Sequence, residues 1–117
     1  MSDVLVQRDG AYTTITMNRP QRRNALSRQF LIDLTEAFTD VSRTDALGVI
    51  LAANGPVFSA GHDFADMAGA SHQDVRELLR ICTALMRKIQ SAPQPVIARV
   101  HALATAAGCQ LVASCDL

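Results

Sequence analysis

The sequence predicts one α/β domain, and three observations carry that prediction. Two short β-patterned runs flank the turn pair Asp9-Gly10. Helical stripes of apolar residues then alternate with short runs that are apolar on both faces. No linker or repeat interrupts the 117 residues, a length that suits one domain and is short for two. The order of elements is β-β-α-β-α-β-α.

The first two strands are residues 4–7 and 12–17, joined by a tight hairpin at Asp9-Gly10. Thr14 and Thr16 alternate with Ile15 and Met17, the period of a half-buried strand. Asn18-Arg19-Pro20 breaks the sheet. Ser27 caps a helix whose apolar residues Phe30, Leu31, Leu34, Phe38 and Val41 recur at helical spacing. Residues 47–53 are apolar on both faces, as in a strand covered from both sides, and Asn54-Gly55-Pro56 ends them. Ser71 and Asp74 form a short version of a capping box. Behind them Val75, Leu78, Leu79, Cys82, Leu85, Met86 and Ile89 trace one stripe, closed by Ala92-Pro93. Residues 95–100 read as another buried strand, and 102–117 as small, apolar and helix-compatible.

Composition narrows the function. Hydrophobic residues make up 49% and charged residues 19%, the balance of a globular chain. Eleven basic residues offset eleven acidic ones, so no electrostatic argument supports nucleic acid or an anionic membrane as a partner. No apolar run approaches the ~20 residues of a membrane span. Met1-Ser2-Asp3-Val4 resembles neither a signal peptide nor an Arg-rich transit peptide, and the expectation is a cytoplasmic protein. Cys82, Cys109 and Cys115 read as buried structural thiols, and no metal is expected, since His62, His72 and His101 lack ligand spacing.

Three segments place glycine and small residues where a plain core would carry large aliphatics: 19–27, 57–64 and 104–110. Small residues let backbone come close to a ligand, and a helix N-terminus adds a favourable dipole. Two backbone N–H groups brought together in this way would stabilise a carbonyl oxygen that gains negative charge.

In order, N-R-P-x-x-x-N-A-L, F-S-A-G-H-D and P-V-I-A-x-V-H-A-x-A-x-x-A-G-C-x-L-x-x-x-C-D resemble the crotonase, or enoyl-CoA hydratase/isomerase, family along essentially the whole chain. The wording around Ala104 to Asp116 is most similar to the family's enoyl-CoA hydratase domain-containing protein 3 branch. The resemblance implies a crotonase-like spiral of β-β-α units, C-terminally truncated. Residues 1–117 would then be the N-terminal portion of a single domain. It implies oxyanion N–H groups at His62 and Ala107. It also implies a CoA groove lined by Arg22, Arg23, Ala25 and Leu26, with Ala60, Asp63 and Phe64 beside the pantetheine and adenine. The implied ligand is an acyl-CoA substrate of fatty-acid metabolism. CoA arrives with the substrate and no separate cofactor is expected, and the full-length form would be a homotrimer or hexamer.

Several positions depart from the family pattern. The first water-activating glutamate of the hydratases falls at Gln110, whose amide accepts no proton at any useful pH. The second lies beyond Leu117. Ala102 stands where the family usually has Gly, and Ala65 where some members carry Lys. Two readings follow: an enoyl-CoA hydratase/isomerase-type enzyme (a lyase), or a non-catalytic acyl-CoA-binding relative. A fragment without independent function is a third. The His62 imidazole stands as either incidental or one half of an acid–base pair with Asp63. Asp63 also reads as a helix cap, Asp66 and Asp74 as solvated, His101 as a hydrogen-bonded structural residue, and Asp116 as a buried anchor. The stripe from Val75 to Ile89 and the last helix are expected to be left open by the truncation.

Overall fold

Val4–Asp9 (β1) and Tyr12–Met17 (β2) pair antiparallel and open the sheet; Asp9 is the last residue of β1, and the turn itself is Gly10-Ala11. The computed structural model describes residues 2–117. Its sheet has the order β1-β2-β3-β4, with β3 (Gly48–Ala53) and β4 (Val96–Ala98) each parallel to its predecessor. Parallel neighbours need crossovers. The first contains α1 (Arg28–Ser42); the second contains a short α2 (Phe64–Met67) and the longer α3 (His72–Gln90). After β4 comes α4 (Ala107–Ala113).

Alternation along β2 decides which face is core. Thr13, Ile15 and Met17 are buried, whereas Thr14 and Thr16 are half-covered on the other face. On the core side Val49 and Leu51 of β3 and Val96 of β4 join them beneath α1. The covered-strand expectation for β3 holds only in part. Ile50 is half-buried, and its β4 partner Ile97 is exposed.

Local signals explain where the helices start. Ser27 caps α1 by accepting from the Phe30 N–H at 3.2 Å. Ser71 caps α3 by accepting from the Asp74 N–H at 3.1 Å. Each satisfies a donor that the helix leaves unpaired. In α1 Phe30, Leu31, Leu34, Phe38 and Val41 are all buried, as their spacing requires. In α3 Leu78, Cys82, Leu85 and Ile89 are buried in the core shared with α1. The expectation of an open α3 stripe is therefore corrected: α1 covers it. Leu79, at 47% exposure, sits at the margin.

The last segment differs most from its reading as one helix. Only Ala107–Ala113 is helical, because Ala106 takes a left-handed φ of 53° that no continuous helix tolerates. Asp116 is exposed rather than buried, yet it is an anchor: its Oδ2 accepts from the Val96 N–H at 2.8 Å. The Ala98 N–H donates to Leu117 O at 2.8 Å, so the chain's last residues run beside β4. Cys109, in the first turn of α4, is exposed, which corrects its reading as a buried thiol. Burial raises the pKa of the Cys82 thiol, and burial with the nearby Asp116 charge pushes Cys115 up to about 11.

Leu85 is fully buried. Leu85→Ala should therefore cost about 2–5 kcal/mol in urea unfolding, against about 0.5 kcal/mol or less for Leu79→Ala on the same helix. Equal costs would contradict the packing of α3 on α1.

Candidate functional site

The three segments set apart by their small residues are joined into one structure. Asn24 is fully buried between them. Its Oδ1 accepts from the Arg19 N–H at 2.8 Å, and its Nδ2 donates to Asn54 O at 2.8 Å and Val57 O at 3.3 Å. The Ser59 hydroxyl donates to Asn24 O at 2.9 Å and accepts from the Gly61 N–H at 3.3 Å. Backbone bonds complete the seam: Ala60 N–H to Arg23 O at 3.1 Å, and Leu26 N–H to Gly61 O at 2.7 Å. The third segment joins through Phe58 N–H to Leu103 O at 2.8 Å and Thr105 N–H to Ser59 O at 3.1 Å.

Two glycines make the approach between the second and third segments possible. A Cβ on Gly108 would lie 2.4 Å from Ser59 O. At Gly61, where φ is +93°, a Cβ would lie 3.0 Å from Ala106 Cβ and 3.3 Å from Ala107 N. The backbone at 61–62 thus lies against the start of α4. Among the described residues neither the His62 N–H nor the Ala107 N–H donates a hydrogen bond within the protein. Ala107 opens α4, so its donor has no helical partner. Directly before it, Ala106 has φ 53° and ψ −125°, a backbone state that costs a non-glycine residue of order 1–3 kcal/mol and gathers at functional sites.

Beside this contact is a cleft of about 390 Å³ lined by Arg22, Arg23, Ala25, Ala60, His62, Asp63 and Phe64, with Gln21 and Ala65. Of the groove residues expected from the sequence, only Leu26 does not line it; that side chain is fully buried in the core. Ala107 is buried and does not line the cleft. Gln110 is exposed one turn further along α4 and does not line the cleft. A larger groove of about 710 Å³ lies between α1 and α3, and none of the expected site residues borders it.

Charge in the cleft centres on Asp63. Its buried carboxylate caps α2 by accepting from the Ala65 N–H at 3.0 Å, and Arg22 Nη2 donates to it at 3.1 Å. Arg19 Nη2 lies 3.7 Å away. Burial by itself would raise the Asp63 pKa; the Ala65 N–H, Arg22 and Arg19 together outweigh it and hold the carboxyl below its ordinary 3.8. Among the described residues Asp63 makes no hydrogen bond to His62. The acid–base pair considered from sequence is therefore not formed. The His62 Nδ1 is buried without a partner. Phe64 stands at the cleft's lip, 82% exposed. Asp66 is not merely solvated, because its Oδ2 accepts from the Arg28 N–H at 2.7 Å. His101 Nε2 bonds Gly55 O at 2.7 Å. No group of three His, Cys, Asp or Glu among the described residues could hold a metal.

Sequence reasoning passed over Asn24, Ser59, Arg19 and Ala106. A loop Asn or Ser shows nothing of partners that lie 30 residues or more along the chain. Ala106 carries no compositional sign of its strained backbone.

Residues 7–117 match the family model described as enoyl-CoA hydratase/isomerase. Enoyl-CoA hydratase domain-containing protein 3, mitochondrial, of Danio rerio is 46% identical over 115 residues, which is 97% of this chain and 40% of that protein. The mitochondrial Delta(3,5)-Delta(2,4)-dienoyl-CoA isomerase of Mus musculus is 31% identical across 88% of this chain and 35% of its own length. A solved enoyl-CoA hydratase from Mycobacterium smegmatis superposes with a TM-score of 0.97 at 48% identity, covering 100% of this chain and 47% of that one. The fold is thus that of the crotonases, and the chain spans less than half the length of these relatives. The cytoplasmic expectation is overturned, because the domain-containing protein 3 relatives are named as mitochondrial. Residues 1–4 report no compartment when a chain spans only part of its relatives.

Gly108→Ala should destabilise the full chain by about 1–3 kcal/mol or more, since backbone rather than a mobile side chain meets the new methyl; a variant as stable as the parent would contradict the approach at Ser59. A second expectation concerns pH. The folded Asp63 pKa lies below the unfolded one, so its contribution is present above pH 3.8 and is lost as pH falls through the depressed value. Asn preserves the cap. The stability difference between the parent and Asp63→Asn should therefore shrink below about pH 4, and a difference independent of pH would exclude this role.

Proposed function

The chain belongs to the enoyl-CoA hydratase/isomerase family, and on that premise we propose that it binds an acyl-CoA thioester in the cleft beside Phe64. The thioester carbonyl faces the His62 and Ala107 N–H groups. One observation carries the reading: two donors from separate segments are left without acceptors where Gly61 meets the start of α4. As the oxygen takes on negative charge in a thioester enolate, such pre-placed donors gain strength without reorganising. Arg22, Arg23, Ala25, Ala60, Asp63 and Phe64 surround the CoA moiety, with Leu26 supporting them from the core. Assembly as a homotrimer or hexamer belongs to the same proposal for the full-length form, and sedimentation tests it.

Hydration of an enoyl thioester needs a group that takes a proton from water, and Gln110 offers an amide. This favours a second reading, a non-catalytic acyl-CoA-binding relative. In both readings thioester binding survives, because backbone donors and cleft shape do not depend on Gln110.

The unmodified full chain should bind CoA thioesters while hydrating crotonyl-CoA poorly, followed by loss of enoyl absorbance. In the full-length form, provided the second glutamate is present there, Gln110→Glu should raise the rate towards the ~10²–10⁴-fold that one acid–base group supplies, with CoA affinity unchanged. Efficient hydration by the unmodified chain would refute the role given to Gln110. Absence of any thioester binding would refute the reading as a whole.

A further inference from the structure

The two donors assigned to the carbonyl oxygen do not stand equally open. His62 follows Gly61, which has no Cβ to crowd the N–H after it. Ala107 follows Ala106, which has one. The Gly108 N–H donates to Thr105 O at 2.8 Å, closing a four-residue turn in which Ala106 is second. Its φ of 53° and ψ of −125° are those of a type II′ turn, at the position that glycine normally fills. At this ψ the Cβ of an L-residue eclipses the next nitrogen. In a trans peptide the hydrogen on that nitrogen points to the same side, so the methyl stands against the Ala107 N–H. Gly61 gives an independent bearing. A Cβ placed there would lie 3.0 Å from Ala106 Cβ and 3.3 Å from Ala107 N, so methyl and donor face the same neighbour. Ala106 is exposed and lies outside the core cluster, whereas Ala107 is buried within it.

We propose that the Ala106 methyl is a steric screen over the Ala107 N–H, and that this residue sets how strongly the site grips a carbonyl oxygen. This rests on the acyl-CoA reading above. An oxygen in line with the Ala107 N–H would overlap the methyl. It must approach from an angle, and a hydrogen bond weakens steeply as it bends. The His62 N–H then carries most of the contact. Screening costs a thioester enolate more than a resting thioester, because pre-placed donors act most strongly where negative charge develops. Ala106 thus limits the site in a different way from Gln110. The amide withholds a proton acceptor, whereas the methyl withholds a donor, and neither closes the cleft to CoA.

The test is Ala106→Gly in the full-length form. Glycine suits the positive φ of this turn, so the fold is kept, which circular dichroism checks. Calorimetry compares butyryl-CoA with S-butyl-CoA, a thioether of the same length that lacks the carbonyl oxygen. The variant should bind the thioester about three- to tenfold more tightly than the parent does, with no gain for the thioether. A butyryl-CoA labelled with carbon-13 at its carbonyl adds a spectroscopic readout. Its infrared C=O band should lie at lower frequency on the variant than on the parent, a shift that a merely structural role for Ala106 would not produce. Equal tightening of both ligands, or a carbonyl band that does not move, overturns the proposal. If the parent binds neither ligand, the acyl-CoA reading itself fails and this proposal falls with it. If the parent binds both and the variant gains nothing on the thioester, only the role of Ala106 is lost.

Discussion

A single amide side chain, that of Asn24, is shared by backbone groups from two loops that would otherwise have no reason to lie together. It accepts from Arg19 and donates to Asn54 and Val57, while the main-chain carbonyl of Asn24 accepts from the Ser59 hydroxyl. Each such bond contributes about 1 kcal/mol net, but a buried polar group left unpaired costs about 1–3 kcal/mol. The seam is therefore strongly all-or-none. The same bonds hold Arg23 and Asn24 at left-handed φ angles of 53° and 50°, a conformation that neither would keep without them. From this point the cleft wall, the Gly61 turn and the capped α2 are placed in sequence.

The site combines two kinds of rigidity. Around Gly61 and Gly108 it is steric: a methyl group on Gly108 would meet Ser59 O at 2.4 Å, and one on Gly61, where φ is +93°, would press on Ala106 Cβ at 3.0 Å. Around Asp63 it is electrostatic, since a carboxylate placed among an N–H and two guanidiniums is too costly to leave unpaired. The first kind fixes where donors stand. The second fixes the capped start of α2 and the Arg22 side chain beside them. Neither depends on large buried surface, which is why small residues crowd these segments.

Much of the fold was legible because it rests on local rules. The hairpin followed from Asp9-Gly10, the helix starts from Ser27 and Ser71, and the core faces from the period of apolar residues. Legibility failed where distant partners decide. Leu79 and Leu85 belong to one stripe in the sequence, yet only α1 determines which is covered. Residues 102–117 have the composition of a helix, but the turn at Ala106 and the pairing of Leu117 beside β4 divide them. Two of the three site segments were visible through their glycines, and the family resemblance matched all three to a chemistry. That Asp63 turns to arginines rather than to His62, and that Arg19 lies behind it, required three-dimensional placement.

The Ser59–Thr105 and Leu26–Gly61 bonds carry a consequence for how the protein reaches its native state. Each closes a long loop, and loop closure must be offset before such contacts add stability. The hairpin and helices form on local information, whereas the seam waits until β4 is docked and the start of α4 comes up to Gly61. Binding competence is thus a late event in folding. Any ligand that bound there would stabilise only molecules whose topology is complete, so occupancy of the cleft would act as a check on folding.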